Sequence, residues 1–241
     1  MAGDALLGKT ALVTGASRGI GAAAARALAA QGVRVALVSR SADTLQTLAA
    51  ELGKGSLAAP CDVTDETAVR HVVEHVTRTF GGGPDIIVNN AGIFRIAPLL
   101  AMSDALFVET MQTNLIAPFF LIRACLPAMH KRGSGHIITI GSIADRAIMP
   151  ENGAYSPAKY GLRAMHEVLR LETKGSGVRA TLISPGATDT PIWDDIFAEN
   201  HTRHLPSRDI MMTPAAVADA IVYVASQPQG VNIDELRLSR S

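Results

Sequence analysis

Tyr155-Ser-Pro-Ala-Lys159 sets a phenol and an ammonium four residues apart, and Ser142 precedes them in Ile140-Gly-Ser-Ile. On a helix, side chains at i and i+4 lie one above the other, so Tyr155 and Lys159 would face one point. A free tyrosine titrates near ~10, too high for easy proton transfer at neutral pH. A fixed ammonium beside it favours phenolate and lowers that value by roughly 1–3 units. The trio therefore suits general acid–base chemistry, with the serine hydroxyl able to steady a developing negative charge. The same spacing also occurs on ordinary surface helices, so the elements around it must decide.

Those elements alternate. Apolar, β-rich runs at Lys9–Thr14, Val33–Val38, Ser56–Ala59, Asp85–Val88, Gly135–Ile140, Val178–Ile183 and Asn232–Leu238 read as strands. Helical stretches fill the gaps: Gly19–Gln31, Ala42–Leu52, Asp65–Phe80 with Asp62 and Thr64 as candidate caps, Ser103 to about His130, Gly153 to Lys174, and Pro214–Ser226. This order predicts an α/β fold, a doubly wound parallel sheet of about seven strands with helices on both faces. No repeat or linker divides residues 1–241, so one domain is expected. The long irregular segment from Ser184 to Thr213 reads as a lid, at about 187–213.

Thr14-Gly-Ala-Ser-Arg-Gly-Ile-Gly21 falls between the first strand and the first helix, where a phosphate cradle belongs. Glycines 15, 19 and 21 allow a tight turn, close approach of backbone to a pyrophosphate, and packing of helix on strand. The second strand ends in Ser39-Arg40 rather than a carboxylate. With Arg18 inside the loop, this favours a ribose 2′-phosphate, hence NADP(H) over NAD(H). The alternative is that both arginines are solvated surface residues.

In order and spacing these motifs resemble the short-chain dehydrogenase/reductase family from Thr14 to Thr190. They are Thr14-Gly15-x-x-x-Gly19-x-Gly21, Cys61-Asp62-Val63, Asn89-Asn90-Ala91-Gly92, Asn114, Ser142, Tyr155-x-x-x-Lys159 and Pro185-Gly186-x-x-x-Thr190. The resemblance implies a Rossmann-type domain with a catalytic tetrad of Asn114, Ser142, Tyr155 and Lys159. It puts the cofactor against Gly15, Ser17, Arg18, Gly19, Ile20, Gly21, Ser39 and Arg40, with Asp62 and Val63 at the adenine. By the same likeness Asn89, Ala91 and Gly92 line the cleft, and Pro185, Gly186, Thr188 and Thr190 hold the nicotinamide side beside Tyr155 and Lys159. A water at the Asn114 carbonyl would relay protons from Lys159, and Pro118, which has no N–H to donate four residues back, would free that carbonyl and kink the helix. The resemblance also implies a homodimer or homotetramer. The pocket for substrate is expected around Ala144, Met149, Ile192 and Trp193.

The implied activity is hydride transfer between NADP(H) and a carbonyl or secondary alcohol, with reduction of a ketone or aldehyde as the working direction. Alternatives are reduction of a 3-oxoacyl thioester, oxidation of a small 3-hydroxy acid, and a non-catalytic NADP-sensing protein. Arg123, His130, Lys131 and Arg132 could form a basic patch for an acidic carrier, or simply complement a helix C-terminus. Arg146 facing inward would suit a carboxylate-bearing substrate, whereas a salt bridge would take it away. His71-Val-Val-Glu-His75 has a zinc-like spacing, but its histidines fall opposite the valines on the polar face of a helix, so no metal is expected.

With 22 Lys+Arg against 22 Asp+Glu, the chain has no charge excess to attract nucleic acid or acidic lipid. Cys61 and Cys125 have no metal or redox spacing and suit a reducing cytoplasm. No signal peptide is read at the N-terminus, and no apolar stretch is expected to reach the ~18–20 residues of a membrane span.

Overall fold

The computed structural model describes residues 5–53, 55–198 and 205–241. Its sheet has seven parallel strands: β1 Thr10–Thr14, β2 Arg34–Ser39, β3 Leu57–Pro60, β4 Ile86–Asn89, β5 Gly135–Ile140, β6 Val178–Pro185 and β7 Glu235–Leu238. They lie in the order β3-β2-β1-β4-β5-β6-β7, so the winding reverses between β1 and β4. In such sheets the crevice beyond the strand C-termini at the reversal is where ligands sit.

The strands are apolar throughout because both faces are covered. Ala11 and Val13 of β1, with Val35 and Leu37 of β2, face α1 (Gly19–Ala30), α2 (Ala42–Leu52) and α8 (Pro214–Ala225). The intervening Leu12, Ala36 and Val38 face the opposite way, towards α3 (Glu66–Phe80), α5 (Ala117–Arg132) and α6 (Tyr155–Glu172). This is the two-residue period of a strand, with hydrophobic residues at both phases.

Several local expectations need correcting. Asp65, not Asp62 or Thr64, caps α3, its side chain accepting from Thr67 N and Ala68 N. Asp62 instead folds onto Thr64, accepting from that residue's N at 3.0 Å and Oγ1 at 2.7 Å. The long stretch from Ser103 contains α4 (Asp104–Met111), a π-wound turn over Gln112–Ile116, and then α5. Pro118, lacking an N–H, is accommodated by this widened turn, in which Ala117 N–H bonds to Gln112 O. Contrary to expectation, the run Asp104–Arg132 is long and apolar enough to cross a membrane by length and composition. Here its residues Leu121, Ile122, Cys125 and Met129 are buried with α3 and β5.

His71, Glu74, His75 and Arg78 lie on the exposed face of α3, opposite buried Val69, Val72, Val73, Val76 and Phe80. Arg132 is used structurally, donating to the carbonyls of Gly83 and Pro84 at 3.0 Å each. His201 and His204 lie outside the described residues, as does the part of the expected lid between 199 and 204.

Candidate active site

The first loop is built from β1 outward. Thr14 Oγ1 donates to Val88 O on the neighbouring strand and accepts from Asn90 N at 3.0 Å and Ala91 N at 3.1 Å. Asn90 Nδ2 returns a bond to Thr14 O at 2.9 Å. The ends of β1 and β4, on either side of the reversal, are thereby pinned together. Helix α1 starts at Gly19 with no side-chain cap and no acidic residue in its first turn, which leaves its N–H groups and positive dipole end for an anion. A Cβ on Gly21 would stand 2.2 Å from Gly15 O and 2.6 Å from Asn90 Nδ2, so only glycine lets the helix sit this close to the loop.

A cavity of about 1040 Å³ opens over these strand ends. Gly15, Ser17, Arg18, Gly19 and Ile20 line it, as do Ser39, Arg40, Asp62 and Val63. Ala91, Gly92, Pro185, Gly186, Thr188 and Thr190 form further wall. Asn114, Ser142, Tyr155 and Lys159 meet there, together with Ala144, Met149, Ile192 and Trp193. Two expected residues do not line it. Gly21 is buried behind the loop and acts through packing. Asn89 is buried within β4, and its side-chain amide has no partner among the described residues. Consecutive strand residues point to opposite faces, so Asn90 reaches the cavity where Asn89 cannot.

The residues of the opening motif converge as their spacing predicts. Tyr155 opens α6, and the Lys159 Nζ lies 5.7 Å from the centre of its ring. Lys159 is buried and donates to Ile140 O at 3.0 Å. Ser142 Oγ accepts from Ala144 N at 3.1 Å, an arrangement that leaves its own O–H free to donate. Asn114 uses its side chain wholly within the protein: Nδ2 donates to Ile93 O and Thr110 O, and Oδ1 accepts from Ile93 N. A Cβ on Gly92 would stand 2.6 Å from that Oδ1, so the glycine makes room for the clamp.

The electrostatics reverse one expectation. Burial pushes the Tyr155 phenol up to about 12; Ser142 opposes this, and the charge of Asp145 adds to it. Burial also brings the Lys159 ammonium down to about 8, with Asp145 pulling the other way. The enclosed site penalises phenolate more than the hydrogen bond with Ser142 favours it.

Asp145 is a residue that sequence reasoning missed. It is wholly buried, accepting from Ser184 Oγ at 2.5 Å and from Arg146 Nε at 2.7 Å. Arg146 Nη1 lies a further 2.7 Å from Glu235 Oε1 on β7, so this arginine bridges two carboxylates and does not line the cavity. Asp145 Oδ2 would be 3.0 Å from a Cβ on Gly141, the neighbour of the residue whose carbonyl holds Lys159. A charged residue three positions after Ser142 was the available signal, but its partner Ser184 comes from a strand 39 residues on.

Past Thr190 the chain folds over the cavity. A single turn at Pro191–Trp193 leads into the short α7 (Asp194–Ala198). Trp193 and Ile196 are buried with Phe94, Ile96 and Met211, and Tyr155 packs against this cluster. Arg208 joins Asp189 at 2.6 Å and Asp194 at 2.5 Å, while Arg95 reaches Asp195 at 2.7 Å.

A parallel sheet with a glycine loop at its reversal, and a Ser–Tyr–Lys group in the same cavity, define an oxidoreductase that works on a nicotinamide dinucleotide. The chain belongs to the short chain dehydrogenase family, whose pattern matches residues 9–201. It is 34% identical over 232 residues to an uncharacterized oxidoreductase of Staphylococcus haemolyticus, covering 96% of each chain. An alcohol dehydrogenase from the archaeon Thermococcus sibiricus, solved with 5-hydroxy-NADP, superposes with a TM-score of 0.84 at 31% identity over 95% of both chains. The closed form of a serine dehydrogenase complexed with NADP+ gives a TM-score of 0.86 at 31% identity, covering 95% of this chain and 94% of that one.

Proposed function

We propose that this enzyme reduces a ketone or aldehyde to the alcohol at the expense of NADPH. The observation that carries the reading is the meeting of Ser142, Tyr155 and Lys159 in one cavity with an uncapped, glycine-lined helix start. The residues fit NADP(H): the loop offers free backbone donors, and Arg18 and Arg40 are exposed at its rim, with no carboxylate at the end of β2. The solved relatives named above hold NADP or a derivative of it, which supports the same choice here.

When bound, the cofactor supplies the hydride. Ser142 O–H donates to the substrate's carbonyl oxygen and stabilises the charge that gathers there. Tyr155, which keeps its proton at neutral pH because burial raises it, delivers that proton to the same oxygen. Lys159 holds a positive charge beside the phenol ring, fixed by Ile140 O. Asn114 anchors the π-wound turn to Ile93 through its side chain, and its carbonyl is where the relay to solvent would start.

Oxidation of a small 3-hydroxy acid is the second reading, favoured by the likeness to serine dehydrogenase. Reduction is preferred because Arg146, the candidate partner for a carboxylate, is committed to Asp145 and Glu235. The chain would act as one dinucleotide-binding and catalytic domain over 1–241, with a lid at about 187–213 latched by Arg208 and Arg95. Exposed Phe107, Val108, Phe119, Tyr160, Val168 and Leu171 along α4, α5 and α6 supply an apolar face for a homodimer or homotetramer. The buried, unpaired thiols of Cys61 and Cys125 suit a reducing, cytoplasmic setting.

The test replaces Tyr155 by Phe and follows NADPH consumption with a panel of ketones, aldehydes, keto-acids and acyl thioesters. Turnover should fall by about 10²–10⁴-fold while NADPH binding persists. Equal turnover by Tyr155→Phe and the wild type would refute the assignment.

A further inference from the structure

Ile140 carbonyl, Ser142, Tyr155 and Lys159 divide the cavity. The glycine loop, Arg40 and Asp62 lie on its cofactor side. Glu109 belongs to that side too, because one turn later Gln112 donates to Thr64 O beside Asp62. The remaining end is walled by Phe94, Ile96, Trp193 and the segment Met149–Asn152. Its rings meet edge to face, Phe94 with Tyr155 at 4.7 Å and with Trp193 at 5.0 Å. Among the described residues lining this end, Glu151 carries the one formal charge.

Glu151 is unusual in its backbone. It is the one non-glycine residue with a left-handed conformation among the described residues, φ 65°. That conformation costs free energy for any residue with a Cβ, and glycine would relieve it. Ala97 N holds it there by donating to Glu151 O at 2.9 Å. The next residue, Asn152, accepts from Ser156 N through its carbonyl as α6 begins. Asn152 is buried, so of the two neighbours it is the exposed Glu151 whose side chain is open to a ligand. A carboxylate at an aromatic-lined end that carries no cation suits an N–H-bearing ammonium.

We propose that the substrate is an amino-carbonyl compound, its protonated nitrogen held by the Glu151 carboxylate while its carbonyl oxygen meets Ser142 and Tyr155. This rests on the carbonyl-reductase reading above and narrows its substrate class.

The experiment compares 5-(dimethylamino)pentan-2-one, protonated at neutral pH, with its neutral isostere 6-methylheptan-2-one. The trimethylammonium analogue is the third ligand, keeping the charge and lacking the N–H. Two readouts are taken: kcat/KM with NADPH, and the fluorescence of Trp193, the single tryptophan of the chain and part of the cavity wall. The amine should be favoured by about 10-fold over the isostere in both, and the trimethylammonium analogue should fall between them. In Glu151→Gln the preference should collapse towards parity. Glu151→Gly, which also relieves the backbone, should lose it equally while remaining folded. A wild-type ratio at or below one, or a preference that survives both substitutions, would overturn the proposal. If neither ketone is reduced but the fluorescence preference holds and follows Glu151, the carbonyl-reductase reading fails and the ammonium site stands.

Discussion

The two groups that manage the proton are set by what surrounds them more than by each other. Burial brings Lys159 to about 8, and Asp145 is the anion that counters this. The charged form of Lys159 therefore dominates below about pH 8 and is lost above it, so kcat/KM for reduction should decline through that value. The profile is taken as kcat/KM for NADPH, which reports the enzyme before the cofactor binds, the form to which this value belongs. Removing the negative charge in Asp145→Asn takes away the support for the ammonium, and the limb should move to lower pH. A pH–rate profile of the variant with an unmoved limb would show that Asp145 is only a structural partner of Arg146 and Ser184. Conservation of the fold can be followed in parallel by thermal unfolding, since the variant also leaves Arg146 with Glu235 as its remaining carboxylate.

At the scale of elements, the site is assembled where strands end and helices begin. The end of β2 delivers Ser39 and Arg40, and the start of α1 delivers the open N–H groups. Cofactor choice is therefore a property of one strand end. Arg40→Asp replaces a phosphate partner by a carboxylate that would accept from a ribose hydroxyl and repel a 2′-phosphate. Affinity for NADPH should fall by about 10- to 100-fold, while that for NADH stays level or improves. Titration of both nucleotides checks this, and equal losses would remove Arg40 from the 2′-phosphate site. The π-wound turn is the other decisive element. It lets Pro118 sit in a continuous helical run and turns the Asn114 side chain towards Ile93, joining α4–α5 to the loop after β4.

Across the whole molecule, burial of two neutral histidines in the sheet-to-helix layer makes the fold sensitive to acid. His136 bonds Thr181 at 2.8 Å and His166 bonds Thr139 at 3.0 Å. Burial holds His136 well below its usual value and brings His166 to about 4. Between the ordinary histidine value near ~6.5 and about 4, the unfolded chain binds a proton that the folded chain does not, so stability falls as pH falls. His166 alone should contribute a loss of about 3 kcal/mol by pH 4. Melting temperatures measured across pH 4–7 should drop steeply in the wild type and less steeply in His166→Gln, and parallel curves would show that His166 is not responsible.

Patterns carried by neighbouring residues are legible in the chain itself. Strand and helix alternation comes from apolar periodicity, a local property, and it yields the seven strands and their parallel winding. The glycine loop and the Tyr155–Lys159 spacing are legible for the same reason, since a turn or one helical face is fixed within a few residues. Strand phase at the end of β4 is equally local, yet the assignment of Asn89 rather than Asn90 to the cavity goes astray because both are asparagine and only their opposite facing separates them. The tertiary structure alone decided what depends on partners far apart in the chain. Asp145 gains its burial from Ser184, 39 residues on, and Arg146 is taken from the cavity by Glu235 at the sheet edge. The proton affinities of Tyr155 and Lys159 follow from how far the fold withdraws each from water, a quantity no spacing contains. The sequence determined which groups would meet, through local geometry; the fold decided their charge and their company, because desolvation and long-range contacts exist only once the chain has closed around them.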